Sequence, residues 1–323
     1  MSNQIQIKVE DLNALPATKI VENENVEAKF IQMYNAIWGT QTGMQIYQKE
    51  VFNFQKLLRE NPDLATCSKM SLYGCFLDMA VNGLSLDPTG RPHCYLLPRS
   101  VKTGHKDDRG KDIYEKRASV SVTAYGELTM RMRAGQIKYV DNPVIVYEGD
   151  QFSVSLNKGV KYVEYSAKCP RTSTKVVAAF IRIVRNDGSE DYQWLMEGDI
   201  IRLKAYSERA NAKWNDQTRR KENGQANALY TSNGGQIDPG FLENKMIKHA
   251  FDAYPKVRTG QFTTMETQED VVDIDYGIVE DGGVAEIMPT DPSPALGFGD
   301  NIHEQEKPTV QVQTTQEDDD AGF

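Results

Sequence analysis

Apolar residues in the first quarter of the chain recur every three or four positions, which is the spacing of an amphipathic helix. One such run starts at Val26 and carries Phe30 and Met33 on a single face. A second run covers residues 44–59, and a third begins near Ser68. The pattern therefore predicts three helices packed through their apolar faces. Residues 1–25 lack any such period, so we expect a flexible arm there.

Polar and apolar residues alternate in several later segments, which is typical of half-buried strands. The predicted strands lie near residues 94–99, 118–123, 144–147, 152–156, 160–165, 176–185 and 191–195. The last two are joined by a short polar stretch containing Asp187-Gly188, so they form a hairpin. Further helices are predicted over residues 199–209 and from Pro239 onwards. The polar residues 211–238 between them are predicted to be a mobile insertion.

The predicted fold class is therefore α+β, with a small antiparallel sheet and packed helices. A long polar loop rich in lysine and arginine is expected to join the first two strands, over residues 99–117. Such a loop is either simply solvated or a surface that neutralises the phosphates of a nucleic acid. Its neighbourhood, including Tyr125, favours DNA. The candidate DNA-binding residues are Arg99, Lys102, Lys106, Lys111, Lys116, Arg117, Tyr125, Arg133, Lys204 and Arg209.

Two of the arginines near this loop, Arg131 and Arg133, lie on a predicted helix two residues apart. Side chains two positions apart on a helix point in different directions, so we expect only one of the two to reach DNA. Lys204 and Arg209 lie on the polar face of the helix predicted over residues 199–209.

Several short motifs occur in a fixed order along the chain. They are Gly83-Leu84 before Pro88, Cys94-Tyr95-Leu96-Leu97-Pro98, Tyr125 with Gly126 and Leu128, Gly135-Gln136-Ile137, Glu148-Gly149-Asp150 with Phe152, and Tyr254-Pro255. This succession resembles the RecT branch of the RecT/Red-beta family of phage single-strand annealing proteins, from about Glu27 to Pro255. The chain departs from the family pattern at Ala124, usually a glycine, and at Glu127, often a basic residue.

The resemblance implies a domain over residues 26–263 that binds single-stranded DNA in a groove and anneals complementary strands during phage-type homologous recombination. It further implies a homo-oligomer, either a ring or a helical filament, that holds the annealed duplex intermediate. A 5′→3′ exonuclease and the host single-strand-binding protein are the implied partners. The chain has no glycine-rich phosphate loop of the Walker type, so annealing without ATP or any other cofactor is expected.

Net charge is uneven along the chain, although the total is −9. Residues 264–323 contain 16 acidic side chains and one basic side chain, so the remaining 30 acidic and 36 basic residues give the body +6. Such asymmetry is typical of nucleic-acid-binding proteins. The acidic segment is expected to be a largely disordered tail. With no apolar run near the length of a membrane span and a polar start, a cytoplasmic protein without membrane contact is expected.

Two alternatives to annealing remain at this point. A metal-dependent nuclease would need carboxylates such as Asp238 and Glu243 beside Lys245, but their spacing on one helix is unfavourable. A plain single-strand-binding protein would protect DNA without annealing it. The four cysteines match no zinc-binding pattern, so no metal site is expected, and the protein is not expected to be an enzyme.

The last residues combine an acidic run with a terminal aromatic residue, namely Asp318, Asp319, Asp320 and Phe323. This resembles the acidic tip of bacterial single-strand-binding proteins, where repair proteins dock. The alternative is an ordinary solubilising tail. A third possibility is that the tail folds back onto the basic surface of its own chain and competes with DNA.

Overall fold

The computed structural model of the chain describes residues 5–215, 217–265, 269–271, 274–280 and 283–284. The α-helices are α1 (Val9–Ala14), α2 (Glu24–Trp38), α3 (Gly43–Glu60), α4 (Pro62–Ala65), α5 (Lys69–Asn82), α6 (Ala124–Arg133), α7 (Glu197–Ala210) and α8 (Pro239–His249). The strands are β1 (Ile7–Lys8), β2 (Cys94–Lys106), β3 (Asp112–Val122), β4 (Tyr139–Val140), β5 (Val144–Tyr147), β6 (Gln151–Asn157), β7 (Val160–Ser166), β8 (Val176–Val184), β9 (Glu190–Met196), β10 (Lys213–Asn215), β11 (Arg220–Glu222), β12 (Val257–Thr259), β13 (Thr263–Thr264), β14 (Glu269–Val271), β15 (Ile278–Glu280) and β16 (Gly283–Val284).

The described residues form two compact units. The first comprises the chain up to Met130 together with the residues from Pro255 onwards, and the second comprises Arg131–Tyr254. The α+β class expected from the sequence is confirmed, with several small sheets rather than one. Among the described residues, no helix is both long enough and apolar enough to span a lipid bilayer.

Helix α5 is the centre of the first unit. Every residue from Ser71 to Asn82 is buried, because α1, α2 and β3 pack around it. Its start is capped by the Ser68 hydroxyl, which accepts a hydrogen bond from the Ser71 N–H. Its end is set by Gly83, which adopts the left-handed conformation with φ of 63°.

The N-terminal segment differs from the flexible arm expected over residues 1–25. In its described part, α1 is followed by a 3-10 helix at Ala17–Glu22, and Leu12, Ile20 and Val21 are buried in the same core as α5. These elements are too short to show a helical period in the sequence. Long-range packing, rather than local helix propensity, therefore stabilises these elements.

The basic segment over residues 99–117 is not the long loop that was expected. Strand β2 continues to Lys106 and β3 starts at Asp112, so only residues 107–111 form the turn. The inner half of this hairpin packs on α5, while β13 pairs in parallel with β3 through Thr263 and Val120. The outer half projects from the sheet. Both of its faces meet solvent, so it lacks the polar–apolar alternation by which strands are recognised.

The boundary predicted between the body and the tail at residue 264 also differs from the structure. Tyr276 and Ile278 are buried in the core of the first unit, and β15 pairs with β1. The Tyr73 hydroxyl donates a hydrogen bond to the carbonyl oxygen of Tyr276. The described residues up to 284 therefore belong to the folded unit, despite their acidic composition.

The second unit is built around β8. This strand pairs with β9 on one edge and with β5 and β4 on the other, all antiparallel. Strands β6 and β7 form a separate two-stranded ribbon. Residues 211–238, expected to be a mobile insertion, instead contain the β10–β11 hairpin and a 3-10 helix at Ala228–Tyr230, with Tyr230 buried.

Candidate nucleic-acid interface

Six of the ten candidate DNA-binding residues lie on the hairpin formed by β2 and β3, which we call the β2–β3 ribbon. Arg99 is paired with Arg117 across the two strands, and Ser100 is paired with Lys116. Directly opposed residues of an antiparallel pair point to the same face. The ribbon therefore presents its two arginines on one face and Lys116 on the other.

The two arginines are held by neighbouring side chains. Arg99 donates from Nε to the Ser119 hydroxyl at 2.9 Å and from Nη2 to the Thr264 hydroxyl at 3.2 Å. Arg117 donates from Nε to the Glu115 carboxylate at 2.6 Å, and its side chain is only 15% exposed. Both guanidinium groups thus have fixed positions at the base of the ribbon.

The two lysines further along are paired with carboxylates. The Lys102 ammonium lies 2.7 Å from Asp112, and this hydrogen bond raises the pKa of Lys102 above its ordinary value. The Lys116 ammonium lies 3.1 Å from Asp63, the second residue of α4. These contacts neutralise both charges locally. Each lysine would therefore have to leave its carboxylate partner in order to bind a phosphate.

The tip of the ribbon, residues 106–111, contains three basic and two acidic side chains and therefore carries +1. Lys106, Arg109 and Lys111 are exposed, and none forms an ion pair with another described residue. The turn itself is ordered, because one Asp107 carboxylate oxygen accepts the backbone N–H groups of Arg109 at 2.9 Å and Lys111 at 2.8 Å. Gly110 completes the turn with φ of 76°. The tip therefore presents three cations on a defined backbone.

Tyr125 is the second residue of α6, which begins shortly after the end of β3. Its side chain is 42% exposed, and its ring lies 5.7 Å from the imidazole of His93. The following residue must be glycine, because a Cβ on Gly126 would lie 1.8 Å from the His93 carbonyl oxygen. This close approach fixes the start of α6 against the base of the ribbon. An exposed aromatic ring in such a position could stack on a base.

The remaining candidates lie in the second unit. Arg133 is exposed in the last turn of α6, whereas Arg131 is fully buried, with its guanidinium carbon 4.6 Å from the Phe251 ring centroid. The expectation that these two arginines face different ways is confirmed. On α7, Lys204 is partly exposed, and the Arg209 guanidinium lies 4.4 Å above the Tyr206 ring.

Two of the residues considered for a metal-dependent nuclease, Asp238 and Lys245, make other contacts. Asp238 caps α8 by accepting the Phe241 N–H at 2.9 Å, and the Lys245 ammonium lies 5.2 Å from the Phe241 ring centroid. In the described part of the chain, no three His, Cys, Asp or Glu side chains are grouped as metal ligands would be. Burial raises the pKa of the Cys67 thiol to about 11.

A buried carboxylate that the sequence did not reveal joins α5 to the C-terminal segment. Asp78 accepts hydrogen bonds from the Phe262 N–H at 2.7 Å, the Thr263 hydroxyl at 2.8 Å and the Tyr276 hydroxyl. Burial raises the pKa of Asp78 to about 7, although these hydrogen bonds oppose the shift. The network positions β13, whose Thr264 contacts Arg99. The predicted docking residues Asp318, Asp319, Asp320 and Phe323 lie outside the described residues.

These features define a mixed α+β protein with an exposed cationic ribbon. Residues 41–220, more than half of the 323-residue chain, match the model of the RecT family. The chain therefore belongs to the RecT family, a family of single-strand annealing recombination proteins. Among curated protein sequences, none matches the chain.

Proposed function

We propose that this protein binds single-stranded DNA through its phosphates and anneals complementary strands without consuming a nucleotide. The β2–β3 ribbon carries this proposal, because its tip presents Lys106, Arg109 and Lys111 without ion-pair partners among the described residues. Cations in this state neutralise phosphates and release counterions, which supplies affinity that does not depend on sequence.

The ribbon offers a simple mechanism for annealing. Contacts to phosphates hold a strand by its backbone and leave the edges of the bases available for pairing. Tyr125, exposed at the base of the ribbon, would support a base by stacking. A second strand can then test its complementarity, and the free energy of base pairing drives the reaction. In this account Arg99 and Arg117 position the ribbon, whereas the three cations of its tip contact DNA. The ion-paired Lys102 and Lys116 contribute less.

We further propose that Arg133, Lys204 and Arg209 of the second unit contribute to the same activity. Family membership supports a groove for DNA, assembly into a ring or helical filament, and cooperation with a 5′→3′ exonuclease and the host single-strand-binding protein. Asp318–Asp320 and Phe323 are proposed to dock on host repair proteins. Replacement of Phe323 by alanine should then abolish such docking and leave DNA affinity unchanged.

A fluorescence annealing assay tests the proposed function. Two complementary labelled oligonucleotides are mixed with the protein, without nucleotide and with or without Mg²⁺. We expect rapid energy transfer in both conditions and no transfer with non-complementary strands. Binding without faster annealing would indicate a plain single-strand-binding protein. Shortening of the labelled strands with Mg²⁺ alone would indicate a nuclease.

A further inference from the structure

A segment outside the β2–β3 ribbon carries a higher net positive charge than the ribbon does. Residues 202–221 contain seven basic and two acidic side chains, whereas residues 99–117 contain seven basic and four acidic side chains. The first segment therefore carries +5 and the second carries +3. Residues 202–221 cover the second half of α7, β10 and the start of β11, and they belong wholly to the second unit.

Strands β10 and β11 form a small ordered hairpin. Lys213 is paired with Glu222 and Asn215 with Arg220. The Asn215 side-chain oxygen accepts the backbone N–H groups of Gln217 at 2.9 Å and Thr218 at 3.3 Å, which shapes the turn.

The hairpin is also anchored to α7. The Gly224 N–H donates to the Glu208 carbonyl oxygen at 3.0 Å, and the Asn211 side chain donates to the Gln225 carbonyl oxygen at 2.9 Å. A Cβ on Gly224 would lie 2.0 Å from the Asn211 carbonyl oxygen, so this close approach requires glycine. The cations of the hairpin and of the end of α7 therefore share one structural element.

The charges of this element have few internal partners. Lys213, Arg219, Arg220 and Lys221 are exposed, and none forms an ion pair with a described residue. The carboxylate of Glu222 is occupied by the Thr218 hydroxyl at 2.9 Å. Hydrogen bonds from Asn215 and Thr218, rather than a cation, hold the pKa of Glu222 below its ordinary value. Uncompensated charge on an ordered hairpin favours an external polyanion as the partner.

We propose that the hairpin cations Lys213, Arg219, Arg220 and Lys221, together with Lys204 and Arg209, form a second surface that binds the phosphate backbone of single-stranded DNA. We call this set the α7 basic surface. The inference rests on the proposed function and extends it, because it adds the four hairpin cations to the contribution proposed for Lys204 and Arg209. Contacts of this kind carry no base preference, so binding is weakened equally for all sequences when they are lost.

The test uses full-length protein and a fluorescent oligonucleotide of mixed sequence titrated at several salt concentrations. In the neutralised variant, Arg219→Asn, Arg220→Gln and Lys221→Gln are combined. Asparagine is chosen at position 219 because the backbone there has φ of 51°, which asparagine tolerates. Loss of three phosphate contacts should reduce the slope of log K against log salt concentration by about two units.

Two control variants separate charge from structure. Arg220→Lys combined with Lys221→Arg keeps both charges and should keep the slope. Lys158→Asn removes one charge from the β6–β7 turn, where φ is 49°, and should also leave the slope unchanged. Lys158 and Arg219 are the two described non-glycine residues with positive φ, so the backbone change is matched.

The outcomes are distinct. A neutralised variant with the slope of the unaltered protein overturns the second surface, and so does an equal loss in the charge-keeping variant. If the unaltered protein itself binds no DNA, the proposed function fails as well. A normal slope for the neutralised α7 basic surface combined with a reduced slope for a neutralised β2–β3 ribbon overturns only the present inference.

Discussion

Arg99 and Arg117 occupy opposed positions on β2 and β3, and their guanidinium groups donate to different partners, Ser119 and Glu115. Like charges placed directly opposite each other are unfavourable on a sheet, so these separate partners stabilise the arrangement. The pair fixes the base of the ribbon, where Arg99 also reaches Thr264 of β13. The structural cations and the cations that we propose to contact DNA therefore occupy different parts of one hairpin.

Replacement of Arg99 by methionine should lower stability more than replacement of an exposed cation at the tip. The change leaves the buried Ser119 hydroxyl without its charged donor, and we expect a loss of about 1–3 kcal/mol in the free energy of unfolding. Urea denaturation measures this loss. Lys106→Met, at the exposed tip, is the matched control and should stay within about 0.5 kcal/mol. Equal effects would show that Arg99 does not anchor the ribbon.

Asp78 should make stability fall as pH rises towards neutrality. Its pKa is about 7 in the folded protein against 3.8 for the ordinary group, so between these values the folded state binds more protons than the unfolded state. The contribution of Asp78 to stability is therefore largest at low pH and is lost as pH rises through 7. The loss between pH 5 and pH 8 is on the order of 2 kcal/mol.

The Asp78→Asn variant isolates this contribution. Because asparagine does not titrate, its free energy of unfolding should lack that part of the pH dependence, whatever its absolute stability. Urea unfolding of both proteins at pH 5 and pH 8 gives the comparison. A constant difference between the two proteins across this range would contradict the raised pKa.

Gly74→Ala should disturb the docking of the C-terminal segment on α5. A Cβ at this position would lie 2.1 Å from the ring of Phe262, which is buried. Overpacking of this kind costs about 1–3 kcal/mol, despite the better helix propensity of alanine. Thermal unfolding tests it. Gly90→Ala, where nothing lies within 4 Å, should change the midpoint little.

Removal of residues 285–323 should tighten DNA binding at low salt. This segment contains nine acidic side chains and one basic side chain, so it carries −8. The cut spares the described C-terminal residues up to 284, because the core contains Tyr276. Competition between the tail and DNA for the same cations is strongest where screening is weakest. Equal affinities for the full-length and shortened proteins at low salt would rule out such competition.

Local sequence signals predicted those elements that depend on local chemistry. Gly83 ends α5 with φ of 63°, and Asp187-Gly188 correctly indicated the β8–β9 hairpin, where Gly188 has φ of 83°. In both places a single backbone conformation is accessible mainly to glycine. The apolar periods of α2, α3 and α5 were sufficient to place these helices.

Elements that depend on distant contacts escaped prediction. The outer part of the β2–β3 ribbon has no buried face, so its sequence is that of a loop. The acidic composition beyond residue 264 gave no indication that Tyr276 belongs to the core. The hydroxyl of Tyr276 donates a hydrogen bond to Asp78, almost 200 positions earlier in the chain. The role of Asp78 depends wholly on tertiary structure. The cationic candidates were identified by composition alone, which could not separate ion-paired Lys102 from Lys106, which forms no ion pair with a described residue.

The central claim is that cations of the β2–β3 ribbon hold DNA by its phosphates. The decisive measurement is the salt dependence of single-strand binding for Lys106→Gln, Arg109→Gln and Lys111→Gln combined. We expect the slope of log K against log salt concentration to fall by about two units for all sequences. The control combines Lys102→Gln with Lys116→Gln, whose charges are already paired, and should lower the slope by less than about one unit. An unchanged slope for the tip variant would contradict the claim.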